Sequence, residues 1–518
     1  MRSNPAYLLI FLSTLLLNFQ CPLFLKIVGL KTFFTSFLKG DTVHFVIPNN
    51  TEYHCMALGV WLCEGINSVG DPGLSVPVMK TQFDDTNAKI VICYEGSRKK
   101  VYEALSQMGR LGKTQVLVLE KACPEENEDA PVTEEGFTYV TDFLNGAEKL
   151  PQPPLLQDGP PKDDETFVIF WSSGTTGLPK GIEHAIDNYR YALTAIEKSS
   201  PKTNSKITWM MTTCFFHAGG FGSFFQLLTY PVSLVFNHGP DIDGEDTCEL
   251  IYKEIDRFQP TWLVFGSHHL VLMSQTKPKD KSLNLSSVLV VSPMGSTVPQ
   301  TLYFDLKSSL YNLVFVFQHF GMTEFFQVAL ITLDVTQLGF VAPDIEVKIV
   351  DPDTGELLGP NESGELLIKT QAPMKGYLNR PDETKNFFAG DGFIHTGDLA
   401  SYAMNGLLKY EGRLKELIKY KNYHLYPLEI EQIICSHPDV IEAAVFGRPE
   451  PTVQELVTAV VIKTPNSKLS EQNVIELVES AVDDSKRLRG GVIFVEKLPK
   501  NPVGKIQRKK LIELYEQL

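Results

Sequence analysis

The chain has 518 residues, of which 43% are hydrophobic and 21% are charged, an ordinary composition for a globular protein long enough to form two or more domains. Its formal net charge of -15 disfavours nucleic acid as a partner, because a phosphate polymer would be repelled. The eight cysteines are scattered without paired two-residue spacing, so the sequence indicates neither a zinc site nor a disulfide framework.

An apolar run near the N-terminus, AYLLIFLSTLLLNF, begins at Ala6 and has about the length of a signal-peptide core. It is also compatible with a membrane anchor if Leu23 to Leu30 joins it, or with a start wrongly joined to the rest of the chain. The sequence leaves these alternatives open. Residues 1–38 therefore form a separate hydrophobic segment, and membrane association or entry into the secretory pathway through it is one expectation for localisation.

From Lys39 onward, short apolar strands alternate with amphipathic helices. The segments DTVHFVIPN, AKIVICY and TQVLVLE predict strands, and a helix is predicted from about Glu52 to Glu64. This alternation predicts a layered α/β domain with helices against the sheet. The composition of residues 123–165 is acidic and proline-rich, which predicts an excursion over the surface.

The most distinctive segment is ETFVIFWSSGTTGLPKGIEH, in which an apolar run precedes a loop of small, hydroxyl-bearing and glycine residues. Glycines let main-chain N–H groups converge on an anion, hydroxyls add donors, and a lysine adds a mobile positive charge. The usual nucleotide loop has four residues between its first glycine and a Gly-Lys-Ser/Thr end, so the spacing here argues against a P-loop kinase or GTPase. The predicted phosphate site consists of Ser172, Ser173, Gly174, Thr175, Thr176, Gly177 and Lys180.

A second ligand segment, FGMTE, follows the apolar run NLVFVF and is predicted to lie at the end of a strand. In open α/β sheets, ligands bind at the carboxyl ends of strands. Here Phe320 can stack on a base, Thr323 can bond a phosphate oxygen, and Glu324 can hold Mg²⁺ through a hard carboxylate oxygen.

The β-rich section upstream of Gly412 is predicted from EVKIVDPDTGELL and ESGELLIK, with turn chemistry at Asp-Thr-Gly. It is followed by HTGD, in which Asp398 can accept two hydrogen bonds from a ribose diol. Arg413 offers a planar fork for the same sugar or for a phosphate.

A second domain is predicted to begin near Gly412, which gives domains at 39–412 and 413–518. In it, YPLEIEQIICSHPDVIEAAVFG predicts a helix followed by a strand, and SEQNVIELVESAVDD predicts a helix capped by a serine. Near the C-terminus, Lys505 follows a Pro-Val-Gly turn that can present one ammonium group at a cleft.

The order and spacing of these motifs resemble those of the adenylate-forming superfamily, in particular acyl-CoA synthetases of the 4-coumarate:CoA ligase and firefly-luciferase type. The resemblance runs from about Lys39 to Leu511. It implies an α/β fold with a large N-terminal domain of layered α/β subdomains plus a β-rich subdomain, and a small mobile α+β domain at the C-terminus.

The resemblance also implies a role for each motif. The loop from Ser172 to Lys180 would close on the β- and γ-phosphates of ATP, and Thr323 and Glu324 would flank the α-phosphate and magnesium. Lys505 would bridge the acyl carboxylate and the α-phosphate. The remaining implied contacts are Asp398 and Arg413 to the ribose, Gly295, Ser296 and Phe320 beside the adenine, Gly321 and Met322 in the same nucleotide site, and Lys419, Lys421 and Asn422 toward coenzyme A.

The implied reaction has two steps. A carboxylic acid and ATP form an acyl-adenylate and pyrophosphate, and the thiolate of coenzyme A then takes the acyl group and releases AMP. Members of the superfamily rotate the C-terminal domain between the steps, and the hinge would lie at Gly412 to Lys415.

The segment CFFHAGGFGSF gives some information on the acid. His217 stands where amino-acid-activating relatives carry an aspartate, so an α-amino acid is disfavoured, and the resemblance places His217 at the carboxylate mouth. Several phenylalanines either line an apolar pocket for an aryl or medium-to-long acyl chain or belong to the core: Phe215, Phe216, Phe221, Phe224 and Phe225.

The sequence departs from the family pattern in four places. The part before Lys39 lacks the usual helix and strands, Met294, Ser296 and Thr297 stand where Gly-Ala-Pro is usual, the chain is a few residues shorter between Glu324 and Asp351, and Asn422 replaces a glycine.

Two alternatives stay open: a luciferase-like monooxygenase, which uses the same adenylate and adds O₂ to it, and a non-catalytic scaffold of the same fold, which the hydrophobic N-terminus and the missing elements motivate. The family location, cytoplasmic or peroxisomal, is also open, although the chain ends in Glu-Gln-Leu rather than the Ser-Lys-Leu peroxisomal signal.

Overall fold

The computed structural model describes residues 38–119, 136–140, 164–172, 179–188, 190–191, 207–226, 232–236, 245–295, 298, 301–332, 339–421, 423–500 and 506–515. The chain divides into two compact units, each built from segments that are separated in sequence. The first unit contains Met1–Ile242, Gly321–Gln327 and Gln371–Asn386. The second contains Asp243–Phe320, Val328–Thr370 and Phe387–Leu518.

The first unit contains a mixed sheet of eight strands, in which parallel pairing dominates and the edge at Gly181 is antiparallel. The strands lie in the order Gly376–Tyr377, Gly181–Ala185, Thr166–Trp171, Ile66–Val69, Thr42–Val46, Ile90–Tyr94, Gln115–Leu119 and Phe137–Tyr139. A separate parallel pair in this unit joins Ile207–Met211 to Val232–Phe236.

Both faces of the eight-stranded sheet are buried, which explains the nearly continuous apolar strands. Ile90 and Ile92 belong to one hydrophobic cluster, whereas the alternating residues Val91 and Cys93 belong to another. Successive side chains of a strand point to opposite faces, so a run without polar positions fits a sheet covered by helices on each side. The predicted α/β fold is therefore confirmed.

The helices form where the sequence supplies amphipathic periodicity and end groups. Asn50 accepts a hydrogen bond from the Tyr53 N–H (2.7 Å) and caps the first helix, and Ser470 forms a capping box with Asn473. The helices among the described residues are Thr51–Leu62, Val76–Asp85, Glu95–Gln107, Ala218–Gln226, Glu245–Phe258, Ser267–Gln275, Leu302–Lys307, Pro381–Phe387, Pro427–Cys435, Glu471–Glu479 and Arg508–Tyr515, with 3₁₀ turns at Leu414–Glu416 and Asp484–Lys486.

The described part of the second unit includes the following groups of strands. Three parallel strands are Trp262–Gly266, Val290–Met294 and Phe315–Val316. An antiparallel sheet has the order Glu346–Val350, Gly364–Lys369, Ile394–Tyr402 and Leu408–Arg413, as the β-rich prediction required. A further sheet has the order Tyr423–Leu425, Ile418–Tyr420, Gln454–Lys463 and Val440–Glu450, with Val492–Phe494 beside Gln454–Lys463.

Three remaining strands bear the FGMTE segment: Gln318–Met322, Phe325–Thr332 and Phe340–Val341, in that order. Thr323 and Glu324 form the turn between the first two of these strands. The prediction that FGMTE ends a strand is confirmed. The next element is a second strand, which makes this segment a tight hairpin turn.

One prediction for the first unit was incomplete. The strand Phe137–Tyr139 lies within the stretch interpreted as a surface excursion, and it pairs in parallel with Gln115–Leu119. The rest of that excursion, 123–135 and 141–163, lies outside the described residues, as does the apolar N-terminal run. Among the described helices, none is both long and apolar enough to cross a membrane.

Candidate functional site

The mouth of the predicted phosphate loop is closed by hydrogen bonds between its two ends. The Ser172 N–H donates to the Lys180 carbonyl (3.0 Å), and the Lys180 N–H donates to the Ser172 hydroxyl (3.3 Å). Trp171 and Gly181 are paired in the antiparallel ladder immediately outside them. The loop residues Ser173, Gly174, Thr175, Thr176 and Gly177 lie outside the described part of the chain.

The side chain of Lys180 has two partners in the first unit. Its ammonium group forms an ion pair with the Glu383 carboxylate and lies 5.2 Å from the centroid of the Tyr377 ring. The hydrogen bond from Lys180 lowers the pKa of Glu383 below its ordinary value. A cation over an aromatic face is stabilised by the ring quadrupole, so Tyr377 and Glu383 together orient this lysine.

The Thr323–Glu324 turn is held by three groups from other segments. His184 donates from Nε2 to the Thr323 carbonyl (2.7 Å), and the Met374 N–H donates to the Glu324 carbonyl (2.7 Å). The Tyr377 hydroxyl donates to Oε1 of Glu324 (3.1 Å). The backbone of the turn and the carboxylate are therefore both positioned by the fold.

The protonation states of these groups suit their hydrogen bonds. Burial lowers the pKa of His184 to about 4, so its ring is neutral near pH 7. Asn188 Nδ2 donates to Nδ1 of His184 (3.4 Å), which leaves the ring proton on Nε2 for Thr323. Burial and then the charge of Glu324 raise the pKa of the Tyr377 hydroxyl, which stays protonated and can donate.

His217 lies in the turn immediately before helix Ala218–Gln226. Its N–H donates to the Cys214 carbonyl (3.1 Å), and its carbonyl accepts from the Phe221 N–H (2.8 Å). Desolvation lowers the pKa of His217 to about 4, so the imidazole is uncharged near pH 7.

Two of the phenylalanines interpreted as pocket or core residues belong to the core. Phe215 and Phe221 are fully buried, and the ring centroid of Phe215 lies 4.2 Å from that of His54. Phe216 is partly buried against the same cluster. The side chains of Phe224 and Phe225 lie outside the described set. An apolar pocket is therefore not supported by Phe215 or Phe221.

In the second unit, the structure brings Asp398 and Arg413 together as paired residues of neighbouring strands. Arg413 Nε lies 2.8 Å from Oδ1 of Asp398, and the Tyr410 hydroxyl donates to the same oxygen (3.2 Å). The Asp398 side chain is only 1% exposed. The two predicted ribose residues thus already form an ion pair with each other, in which the carboxylate is buried.

The HTGD segment is held by hydrogen bonds to the neighbouring strand Gly364–Lys369. Gly397 has φ of +67°, a conformation that favours glycine, and its N–H donates to Oε1 of Glu365 (3.2 Å). The other oxygen of Glu365 accepts from Nδ1 of His395 (3.0 Å), and the Thr396 hydroxyl donates to the Leu366 carbonyl (2.6 Å). These three hydrogen bonds fix the position of the backbone just before Asp398.

The predicted adenine residues are only partly described. Phe320 is half-buried, with its ring centroid 6.5 Å from that of Tyr410. Gly321 is exposed, and Met322 is half-buried. Gly295 follows strand Val290–Met294 with φ of +96°, and Ser296 lies outside the described residues.

The predicted coenzyme A face is described at two of its three positions. Lys419 and Lys421 are exposed; the Lys419 N–H donates to Glu455 Oε2 (2.6 Å), and Lys421 Nζ lies 5.2 Å from the Tyr420 ring centroid. Asn422 and Lys505 lie outside the described residues, so their assigned roles stay predictions.

Sequence reasoning missed the residues that hold these groups in place. Their roles depend on contacts between distant segments, and only the strand-like run at Gly181–Ala185 gave a local signal for one of them. The missed residues are His184, Glu365, Tyr377, Glu383 and Tyr410.

Two family models match the chain, one over most of its length and one near its C-terminus. The model described as AMP-binding enzyme matches residues 36–378, and the model described as AMP-binding enzyme C-terminal domain matches residues 429–505. The chain belongs to the AMP-binding enzyme family. The resemblance to the adenylate-forming superfamily inferred from the motifs is thus confirmed.

Individual relatives of this AMP-binding family member include two kinds of enzyme. The chain is 32% identical over 484 residues to peroxisomal OPC-8:0-CoA ligase 1 of Arabidopsis thaliana, covering 92% of this chain and 84% of that protein. It is 30% identical over 440 residues to luciferin 4-monooxygenase of Photuris pensylvanica, covering 83% and 77%. One relative is named as a CoA ligase and the other as a luciferin monooxygenase, which are the two types that the motif resemblance indicated.

Solved structures support the fold of this family member. ATP-bound MatB from Rhodopseudomonas palustris matches with a TM-score of 0.81 at 22% identity, covering 96% of this chain and 92% of that chain. At this identity the match shows the fold, which agrees with the large α/β domain and C-terminal domain expected for the family.

Proposed function

We propose that the protein uses ATP to activate a carboxylic acid as an acyl-adenylate and then transfers the acyl group to coenzyme A. The observation that carries this proposal is the arrangement of Lys180, Tyr377 and Glu324. The Lys180 ammonium group lies over the face of the Tyr377 ring, and the Glu324 carboxylate accepts from the hydroxyl of the same ring. Lys180 is the last residue of the loop that is predicted to bind phosphate. Membership of the AMP-binding enzyme family supports the nucleotide as the ligand.

The residues present fit a magnesium nucleotide. Mg²⁺ prefers oxygen ligands and is commonly held by one or two carboxylates together with substrate phosphates. Glu324 offers a partly exposed carboxylate on a turn whose backbone is hydrogen-bonded on both residues. When bound, the ion would neutralise phosphate charge. Lys180 would contact the β- and γ-phosphates, and Asp398 and Arg413 would orient the ribose.

In the first step, a carboxylate oxygen of the acid bonds to the α-phosphorus, and the bond to the bridging oxygen of pyrophosphate breaks. Lys505 is proposed to neutralise charge on the acid and the α-phosphate. In the second step, the thiolate of coenzyme A bonds to the acyl carbon and AMP leaves with the electron pair of the anhydride bond. Lys419, Lys421 and Asn422 are proposed to face coenzyme A, after rotation at Gly412 to Lys415.

The proposed acid is an aryl or a medium-to-long-chain acyl compound. His217 is neutral near pH 7 and offers no fixed negative charge to an α-ammonium group, which disfavours amino acids. Phe215 and Phe221 pack in the core, so the acids to be tested include both aryl and acyl compounds. The name of the Arabidopsis relative favours a peroxisomal location among the locations expected for the family.

A luciferase-like monooxygenase is the second candidate, favoured by the 30% identity to luciferin 4-monooxygenase. It would form the same adenylate and then add O₂ in place of coenzyme A. The two functions share the first half-reaction and differ in the acceptor.

The test is to incubate the purified protein with ATP, Mg²⁺, coenzyme A and a panel of aryl and fatty acids, and to measure pyrophosphate, AMP and thioester by mass spectrometry. We expect acid-dependent pyrophosphate release and an acyl-CoA product. Release of pyrophosphate with O₂ consumption and light, using a luciferin and no coenzyme A, would favour the second candidate. No pyrophosphate with any acid would reject both.

A further inference from the structure

Tyr377 connects two groups that the sequence motifs place far apart. Its hydroxyl lies 3.1 Å from Oε1 of Glu324, and its ring centroid lies 5.2 Å from Nζ of Lys180. The three residues are separated in sequence but belong to the same compact unit. One side chain thus contacts the proposed phosphate lysine with its face and the proposed metal carboxylate with its edge.

The backbone of Tyr377 is fixed by the sheet edge that follows the phosphate loop. Strand Gly376–Tyr377 pairs with strand Gly181–Ala185, with Tyr377 opposite Ile182. The Tyr377 N–H donates to the Thr384 hydroxyl (2.9 Å), and the Leu378 N–H donates to the Gly181 carbonyl (2.8 Å). The backbone that carries the Tyr377 ring is therefore hydrogen-bonded beside Gly181, the residue that follows Lys180.

The two contacts of Tyr377 use different parts of its side chain, the aromatic ring for Lys180 and the hydroxyl for Glu324. An aromatic ring attracts an ammonium group without adding a charge that would compete with phosphate, while a phenol O–H can donate to a carboxylate. Phenylalanine would keep the first contact and lose the second. This difference makes the two roles separable by mutation.

The hydrogen bond from the Tyr377 hydroxyl orients the Glu324 side chain, which the backbone hydrogen bonds of the turn do not fix. The carbonyls of Thr323 and Glu324 accept from His184 and Met374, which fixes the turn, while the carboxylate is reached through rotatable side-chain bonds. A hydrogen bond to the carboxylate selects one orientation of it. Partners that orient a metal-binding carboxylate change metal affinity or activity by about 10- to 100-fold when removed.

We propose that Tyr377 is a positioning residue that holds Lys180 and Glu324 in the arrangement that receives a magnesium nucleotide. This inference rests on the proposed function, since it takes Glu324 as a metal ligand and Lys180 as a phosphate contact. It assigns to the Gly376–Tyr377 strand the task of coupling the phosphate loop to the Thr323–Glu324 turn.

The experiment compares the parent protein with Tyr377→Phe, Tyr377→Leu and the control Tyr139→Phe. Tyr139 also donates its hydroxyl to a carboxylate in the first unit, that of Glu95 at 3.2 Å, but its strand lies at the opposite end of the eight-stranded sheet from Gly376–Tyr377. Binding of Mn²⁺, a paramagnetic probe for Mg²⁺, is measured by electron paramagnetic resonance with α,β-methylene-ATP present. Binding of the analogue alone is measured by calorimetry in EDTA.

We expect Tyr377→Phe to weaken Mn²⁺ binding by about 10-fold or more, with metal-free analogue binding unchanged because the ring still faces Lys180. Tyr377→Leu should weaken both, and Tyr139→Phe neither. Tyr377→Phe should also raise the Mg²⁺ concentration for half-maximal pyrophosphate release, with the thermal midpoint near that of the parent. Parent-like Mn²⁺ binding by Tyr377→Phe would overturn the proposal.

A double-mutant cycle with Glu324→Gln separates this proposal from the proposed function. If Tyr377 acts through Glu324, the double variant binds Mn²⁺ no more weakly than Glu324→Gln alone. Additive losses would overturn the positioning role even if Tyr377→Phe folds poorly. If the parent forms acyl-adenylate and Tyr377→Phe binds Mn²⁺ equally well, only the positioning role is rejected. If the parent binds no nucleotide, the proposed function is rejected as well.

Discussion

At the scale of single residues, His184 shows how a buried side chain can fix the turn that is proposed to bind the magnesium nucleotide. It is 1% exposed and donates to the Thr323 carbonyl across 139 positions of sequence. Asn188 supports the ring from the same segment and also donates to the Pro373 carbonyl. The neutral His184 ring and the Met374 N–H thus hold the carbonyls of Thr323 and Glu324 without adding a charge of their own.

Replacing His184 with leucine should destabilise the fold and disturb the turn. We expect the free energy of unfolding to fall by about 1–3 kcal/mol, because the Thr323 carbonyl loses its donor. Pyrophosphate release should slow as well, since Glu324 is the next residue. Urea unfolding near pH 7 measures the first effect, and His424→Leu, at an exposed position, is the control. Equal stability of His184→Leu and the parent would contradict this role.

The sequence motifs located Lys180, Glu324, Asp398 and Arg413 because each has a local signature of loop, turn or strand end. Their partners could not be found in the same way. Tyr377 and Glu383 reach Lys180 only after strand Gly376–Tyr377 pairs with Gly181–Ala185, and that pairing is a property of the folded sheet. Local patterns thus pointed to the candidate ligand-binding groups, whereas tertiary pairing determines which side chains orient them.

At the scale of elements, a buried ionic cluster joins the last helix to the rest of its unit. Arg508, the first residue of helix Arg508–Tyr515, contacts both oxygens of Glu431 (2.7 and 3.0 Å) and lies 3.2 Å from Glu416. Glu431 also accepts from the Val445 N–H (2.7 Å). Burial raises the pKa of Glu431, and the charge of Arg508 opposes that shift.

Removing the cation should cost more than removing a neighbouring surface lysine. Arg508→Met would leave Glu431 buried without its partner, and we expect a loss of about 3–5 kcal/mol in unfolding free energy. The double variant Arg508→Met with Glu431→Leu should recover much of it. Lys509→Met, at the next and exposed position, is the matched control. Thermal and urea unfolding measure these differences, and an Arg508→Met protein as stable as Lys509→Met would refute the account of this cluster.

Elements were predictable where periodicity is local, as in helix Glu471–Glu479 with its serine cap and in strand Ile90–Tyr94. Strand Phe137–Tyr139 was missed, because its short sequence lies among acidic and proline-rich residues and becomes a strand by pairing with Gln115–Leu119. The sequence also could not decide whether Phe215 and Phe221 belong to the core or to a pocket. A buried core and an apolar pocket have the same composition, and only packing separates them.

At the scale of the whole molecule, several buried histidines make stability depend on pH. Burial lowers the pKa of His44 to about 3, of His184 to about 4 and of His269 to about 3. The unfolded chain, with ordinary histidine pKa values near 6.5, therefore binds more protons than the folded one over the intervening range. This contribution to stability is present in full above about pH 6.5 and is lost as pH falls toward 3 to 4.

We therefore expect the urea midpoint to fall progressively between about pH 6.5 and 4, with contributions from both compact units. The sequence pI of 5.3 lies within this range, so low protein concentration is needed to avoid association near zero net charge. Urea unfolding at a series of pH values measures the trend. A midpoint that stays constant from pH 7 to 5 would contradict the assignment of these histidines as neutral in the folded state.

Formation of an acyl-adenylate, the first step of the proposed reaction, can be measured without coenzyme A. The parent protein and Lys505→Ala are incubated with ATP, Mg²⁺ and an accepted acid, and acyl-AMP and pyrophosphate are measured together by mass spectrometry. We expect equal amounts of both products from the parent and a rate lower by about 10²- to 10³-fold in Lys505→Ala, because one charge-stabilising group is removed. Equal acyl-AMP rates in Lys505→Ala and the parent would show that Lys505 does not assist adenylation.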